Sequence, residues 1–191
     1  SVGFYLVLFN AAMSGIPKDI FEAAACSVAL VDEEAEELVF YVASGAGAED
    51  VTGMRIPVNR GIAGYVLMSG QPIAISDVRS DPRFASDVAE TTGYVPRSIL
   101  AMPLATDEST IGVISVLDRT TSDVRDMELL SLFARQAALA IENSRVFTDL
   151  GRTLFGVLAA ASEDTDLGAM LRGAAESGRG PNGELAQFAA Q

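Results

Sequence analysis

The chain has 191 residues, 49% of them apolar and 20% charged, and a formal net charge of −13. That length suggests one domain with an extension, and the apolar share supports a genuine core, which excludes disorder of the whole chain. The acidic balance, with no basic stripe anywhere, argues against nucleic acid and against acidic membrane surfaces as partners.

Histidine is absent. That removes a Ser-His-Asp triad, a Cys-His pair, His-ligated zinc and His-ligated haem. The single cysteine, Cys26, cannot close an internal disulfide and points to a reducing cytoplasm. Its place at the head of the apolar run "CSVALVD" reads as a small buried hydrophobe rather than a reactive thiol.

In chain order, "SVGFYLVLF" turns polar at Asn10, far short of the roughly 20 residues that span a bilayer. It also lacks the basic flank of a signal peptide. Residues 1–14 are expected to form an N-terminal helix, ended by Ser14, Gly15 and Pro17. Both this end and "ELAQFAAQ" read as cut from a longer protein. "DIFEAAA" predicts a second brief helical stretch. "CSVALVD" and "ELVFYVAS" read as two β runs around an acidic turn with Asp32, Glu33, Glu34, Glu36 and Glu37. A solvated hairpin tip is the simpler reading of that turn, ahead of a cation site.

Gly45, Gly47 and Gly53 lack the dinucleotide-binding spacing, and no Gly-Lys-Ser/Thr follows a glycine-rich run, so they read as a flexible connection. "MRIPV" predicts a short strand. "NRGIAGYVLMSG" predicts a helix, with Ile62, Tyr65, Val66 and Leu67 at helical spacing and Gly70 as its stop. "QPIAIS" predicts another strand. Then "SDVRSDPRFASD" repeats Ser-Asp three times in twelve residues. Three carboxylates so close together can cradle a metal ion, divide acid and base roles, or cap turns.

"SILAMPLATDESTIGVISVLD" is the clearest hairpin, with its turn at Thr106–Thr110. Both alternating sets of its strands are apolar, so both faces are covered, by helices or by a ligand pocket. Pro103 has no amide hydrogen to donate and marks an edge or a bulge. Ser122 and Asp123 start a long helix. Leu130, Phe133, Ala137, Ala140, Ser144, Phe147, Gly151, Leu154 and Leu158 follow at alternating steps of three and four, a heptad seam. Unbroken from Asp123 to Ala160, that helix measures about 57 Å. Its first half is expected to pack on the sheet and its second half to need a partner. A helix ending near Phe147 is the competing reading, which Gly151 and Gly156 keep open. Beyond it, "LGAMLRGAAE" is a helical patch and "SGRGPNG" a breaker.

With "GIAGYVLMSGQPIAISDVRSDPRF", "SILAMPL" and "IGVISVLDR" in this order, residues 15–147 resemble a GAF domain. The resemblance implies an α+β fold (GAF/PAS-like): an antiparallel sheet of five to six strands, helices on both faces, and a long C-terminal helix. It implies a small-molecule pocket on one face, and regulation rather than catalysis through dimers joined by flanking helices. Residues 148–191 then form a C-terminal helical extension, partly flexible. In GAF domains the Ser-Asp segment covers the pocket as a loop and short helix. "SDPRF" fits that role: Ser80 or Asp81 caps a turn, Pro82 takes a first helical position and Phe84 points inward. Asp87 starts another turn, with Glu90 completing a capping box. Capping is therefore preferred to metal binding, which needs oxygens converging to about 2.0–2.6 Å.

Several chemistries of that family can be weighed here. Haem-binding members supply an axial His, and bilin-binding members a Cys beside the ring. Neither fits this sequence, and no cofactor is identified. Members that reduce free methionine sulfoxide use several cysteines, which a lone Cys26 cannot replace. Cyclic-nucleotide-binding members carry Asn-Lys, then Phe, three residues, and Asp-Glu. Here Asp118-Arg119, Ser122 and Asp126-Met127 stand at those places. An Arg119–Asp126 pair can survive as a tie between hairpin and helix; if exposed, it contributes about 0–1 kcal/mol.

A pocket for an unidentified small molecule is left. Its candidate residues are Asp77, Phe84, Tyr94, Arg97 and Ser98. Arg97 either grips a ligand carboxylate or phosphate in a fork or pairs with Asp81 or Asp87. No nucleophile and base are found to assign as catalytic residues, and no metal ligands. The sequence thus predicts a cytoplasmic, non-catalytic GAF sensor or regulatory module for signal transduction, a homodimer through helix 123–160, with no nucleic-acid or membrane partner. A dimerisation scaffold without a ligand and a cyclic-nucleotide-binding domain are the alternatives.

Overall fold

The computed structural model describes residues 17–119 and 124–161. A helical turn at 17–20, closed by a hydrogen bond from Phe21 N to Pro17 O (3.0 Å), leads into β1 (Ala23–Asp32). There follow β2 (Glu37–Gly45), the short helix α1 (Ala48–Val51), β3 (Arg55–Pro57), α2 (Gly61–Ser69), β4 (Ile73–Ile75) and a 3-10 turn (Val78–Ser80). The chain continues through α3 (Ser86–Thr91), β5 (Ile99–Ala105), β6 (Thr110–Arg119) and the long helix α4 (Val124–Ala161). The helix expected at 1–14, the patch at 167–176 and the breaker beyond it lie outside the described residues.

One expected element is different. "DIFEAAA" is not helical to its end: Glu22 adopts a left-handed φ of 45° and Ala23 opens β1. Alanine favours a helix, but Ala23 and Ala25 pair across from Arg119 and Leu117. Ladder partners outweigh a propensity of a few tenths of a kcal/mol per residue.

The sheet has six strands in the order β3-β2-β1-β6-β5-β4, every pairing antiparallel. The central pair is β1 with β6, and residues opposite each other share a face. Ala25, Ser27 and Ala29 lie beside Leu117, Ser115 and Val113 on the first face; Cys26 and Val28 lie beside Val116 and Ile114 on the second. Both sets are buried almost throughout, as the two-sided apolar pattern of the hairpin requires. On the first face, Ile62 and Val66 of α2 join Val78, Ile99, Ala101 and Val113 in one cluster, while Ala29, Leu38 and Ile56 form a second. Pro103 faces Val113 of β6, but β4 reaches only from Ile99 to Ala101, so its other side has no ladder to break. The register also shifts between Leu104 and Ala105.

Helix α4 is continuous over 38 residues, so it does not stop near Phe147. The described residues up to Leu139 make one compact unit, and the helix from Ala140 onward belongs to another. In the first unit Leu130, Ala134, Ala137 and Ala138 are buried, and Phe133 meets Phe21 edge-on at 6.3 Å and 64°. Three positions of the expected seam, 130, 133 and 137, are therefore occupied within the chain itself. Among the described residues no helix is long and apolar enough to cross a membrane.

Arg119, the last residue of β6, meets Asp126 in the first turn of α4 at 2.8 Å. The tie expected from the sequence is present, but it is not exposed: the two side chains are 9% and 17% accessible. Burial raises the stakes, because removing either partner takes away a charge-assisted hydrogen bond that solvent screens little. Arg119→Met should lower stability by about 2 kcal/mol, between the values typical of exposed and fully buried pairs. Urea unfolding of Arg119→Met, Asp126→Asn and the double variant would show it, with the double variant losing less than the sum.

Candidate functional site

A cavity of about 130 Å³ lies on the first face of the sheet, beneath α2 and α3. Ala25, Ser27, Ala43, Ile99, Ser115 and Leu117 contribute to its floor, and Phe40, Met54, Ile56, Ile62, Phe84, Val88 and Ala89 to its walls. The space exists because alanine or serine stands at inward positions where a larger aliphatic residue would fill the core. Ser27 and Ser115 are directly opposite across the central strand pair and are 8% and 6% accessible.

The cover over one end hangs on Asp118. Its Oδ1 accepts from the backbone N of Arg97 (2.7 Å) and of Ser98 (2.8 Å), and its Oδ2 accepts from the Tyr94 hydroxyl. Asp118 N in turn donates to Ser98 O at 3.0 Å. Asp118 has a left-handed φ of 49°, a conformation that aspartate tolerates better than most residues. Burial first, and the neighbouring carboxylate second, push the Tyr94 hydroxyl above its ordinary pKa, so it stays a donor. Gly47 (φ 71°) allows this arrangement: a Cβ there would sit 2.9 Å from the Tyr94 Cβ. Thr92 completes the cover, its hydroxyl donating to Ala89 O at 2.7 Å.

Two arginines line a neighbouring depression that shares Arg60, Gly61, Phe84 and Ala85 with the cavity. Arg60, just before α2, holds both oxygens of Asp87 in α3 at 2.8 and 2.7 Å. Arg83 grips Asp81 through Nε (2.8 Å) and a terminal nitrogen (2.6 Å), and stacks over the Tyr65 ring at 4.4 Å. Gly64 lets α2 sit close to the preceding turn: a Cβ would fall 2.8 Å from Val58 O.

The three Ser-Asp pairs thus have separate tasks. Asp77 accepts from Arg79 N at 3.3 Å and caps the 3-10 turn, and the Ser80 hydroxyl donates to Asp77 O at 2.9 Å. Asp81 accepts from Arg83 N at 2.9 Å. Asp87 does not cap. The N-cap of α3 is Ala85 with no side-chain cap, so the expected Asp87–Glu90 capping box is not formed and Asp87 serves Arg60 instead. Pro82 lies in a turn rather than at a helix start. At the acidic hairpin tip, Arg55 bonds Glu37 at 2.6 Å and also Asp32, while Glu33, Glu34 and Glu36 are solvated.

Of the five residues singled out from the sequence, Phe84 and Tyr94 line the cavity. Asp77 caps its turn in solvent. Arg97 is exposed, and neither Asp81 nor Asp87 is its partner, each being held by another arginine. Ser98 contributes its backbone N–H to Asp118. Sequence reading missed Ser27, Ser115, Asp118 and Arg60. A serine inside each of two apolar runs, "CSVALVD" and "GVISVLD", was the available signal for the first two. Nothing local marks the others. Cys26 sits on the opposite face among Val28, Val116 and Ile114, and burial pushes its thiol up to about 12.

This order of strands and helices is matched in known proteins. A family profile described as GAF domain fits residues 7–141. The chain belongs to the GAF family. GAF domains are typical of sensor and regulatory modules in signalling proteins. A Caenorhabditis elegans protein described as a probable 3',5'-cyclic phosphodiesterase is 27% identical over 145 residues, covering 70% of this chain; the chain spans about a fifth of that relative's length. Among solved structures, the GAF domain of a Coxiella burnetii phosphoenolpyruvate-protein phosphotransferase superposes with a TM-score of 0.65 at 18% identity, covering 72% of this chain and 84% of that one. The free methionine-R-sulfoxide reductase of Neisseria meningitidis, solved with its substrate, gives 0.60 at 25%, covering 71% and 77%. The second GAF domain of DevS from Mycobacterium smegmatis gives 0.61 at 19%, covering 76% and 99%.

Two outcomes follow for this GAF domain. Asp118→Ala should cost about 2–3 kcal/mol, since hydrogen bonds to a charged acceptor are lost and two backbone donors are orphaned; urea unfolding measures it. The Arg83 hydrogen bond, followed by the Arg83 backbone N–H, lowers the Asp81 pKa to about 2. Its stabilisation is complete above the unfolded-state value near 4 and is lost as pH falls toward 2. The thermal midpoint should drop over that window, and Asp81→Asn should flatten the drop.

Proposed function

We propose that this GAF domain is a non-catalytic, cytoplasmic sensor module that binds a small molecule in the cavity beneath α2 and α3 and pairs with a second copy through α4. One observation carries the reading: neighbouring residues hold the cavity cover and the helix. Asp118 fastens Tyr94, Arg97 and Ser98, and Arg119 fastens Asp126 of α4. A ligand that prefers one placement of Tyr94 biases the end of β6 and, through it, the start of α4. Differential binding to two arrangements is what regulation by a ligand requires.

The pairing surface differs from the seam expected in the sequence. Leu129, Leu132, Leu139, Val146 and Leu150 are 37–63% accessible. With Gln136 and Asn143 they step alternately by three and four, which makes a second heptad stripe along α4, on the side away from Leu130 and Ala137. Asn143 falls on a core position of that stripe, where a polar residue favours two helices in register. Against an enzyme stands the thiol of Cys26, buried and raised to about 12, so it presents no thiolate for redox chemistry.

The cyclic-nucleotide alternative draws on the phosphodiesterase relative. It is disfavoured because the one arginine lining the cavity, Arg60, is already neutralised by Asp87. Native mass spectrometry of gently purified protein should give a dimer that releases a discrete small mass on denaturation. A dimer that releases nothing, even when refolded with cell extract, would leave a scaffold. Leu139→Asp should convert the dimer to a monomer at micromolar concentration in light scattering, while Tyr94→Ala should leave the dimer and lose the released mass.

A further inference from the structure

We infer that the cavity selects a small uncharged molecule of about one six-membered ring, carrying a hydroxyl or carbonyl that the Ser27–Ser115 pair recognises. This rests on the sensor reading above and adds the class of ligand. The volume is the first constraint. At about 130 Å³ the cavity is close to the ~150 Å³ of an engineered apolar cavity that accepts benzene, and it is too small for a nucleotide without rearrangement of the walls.

Charge is the second constraint. Among the residues lining the cavity, only Cys26, Arg60 and Tyr94 are ionisable. Cys26 lies on the other face of the sheet and stays a thiol. Tyr94 is committed to Asp118 and held protonated. Arg60 has a half-exposed side chain and both of its contacts go to Asp87. An ionised group on the ligand would be buried without a counter-charge, which is prohibitively costly.

The third constraint is the floor. Ser27 and Ser115 face each other across β1 and β6, both residues more than nine-tenths buried; their hydroxyl oxygens are not among the enclosed polar atoms lacking a partner, and both residues line the cavity. Buried hydroxyls are normally satisfied. Two adjacent hydroxyls in an otherwise apolar floor offer one donor and one acceptor to a single ligand oxygen. The apolar remainder, with Ile62, Phe84 and Val88, takes the hydrocarbon body.

The test uses phenol, toluene and cyclic GMP as probes against the full chain, followed by methyl and amide NMR titration. Phenol should bind saturably, with shifts centred on Ser27, Ile99 and Ser115, and more tightly than toluene. The Ser27→Ala/Ser115→Ala variant should weaken phenol about 5–10-fold, the loss of one or two neutral hydrogen bonds, and leave toluene within two-fold. Ala43→Leu, which fills the floor, should abolish both. Equal phenol binding by the double serine variant would overturn the recognition pair. Saturable cyclic GMP binding without phenol binding would overturn the ligand class and leave the sensor reading standing. If no probe binds and the purified protein releases no small mass, the class and the sensor reading fall together.

Discussion

The carboxylate of Asp118 is the point on which the cavity side of this domain depends. Strand β6 could end there, but its backbone turns left-handed and its side chain folds back to collect two amide hydrogens and a phenol hydrogen. Those three donors belong to the segment that runs from α3 to β5, which has no strand ladder of its own. Without an acceptor, two backbone N–H groups would have to find water beneath the cover. One charged group thus substitutes for a missing piece of secondary structure, and charge-assisted bonds make that substitution effective.

A second constraint is that the central strands are buried on both faces. Cys26, Val28, Ile114 and Val116 on one side and Ala29, Val113 and Ala101 on the other leave little room for polar groups. Against that background the paired serines stand out, because the same positions filled with valine would pack the floor and gain apolar burial. The small residues along this face, with Ala25 and Ala43, forgo that gain and leave a hollow. A hollow in a core otherwise packed in this way is kept at a cost of cavity free energy.

The depression beside the cavity is organised by charge rather than by apolar packing. Arg60 links the start of α2 to α3, and Arg83 is clamped between Asp81 and the Tyr65 ring. The Arg60–Asp87 pair is exposed and worth little to global stability, whereas the Arg83–Asp81 pair is part-buried. Their effect is geometric: one nitrogen of Arg60 donates to both Asp87 oxygens and so ties down the six-residue α3, which could not persist as an isolated helix.

Period-2 and helical patterns, which are local, marked the separate strands, the hairpin, the helix α2 and the first half of α4, whereas their assembly into one antiparallel sheet was an expectation of the GAF resemblance. The Arg119–Asp126 tie was also legible, because its two residues lie only seven apart in the chain. The GAF resemblance pointed to Phe84 and Tyr94 as pocket residues, and both line the cavity. What only the tertiary structure decided was which charges meet. Asp87 found Arg60 twenty-seven residues away, and Asp118 found Tyr94 at twenty-four, distances at which spacing carries no information. The depth of the Arg119 pair and the exposed side of α4 were decided in the same way: burial belongs to faces brought together by folding, whereas a sequence shows only which residues share a face.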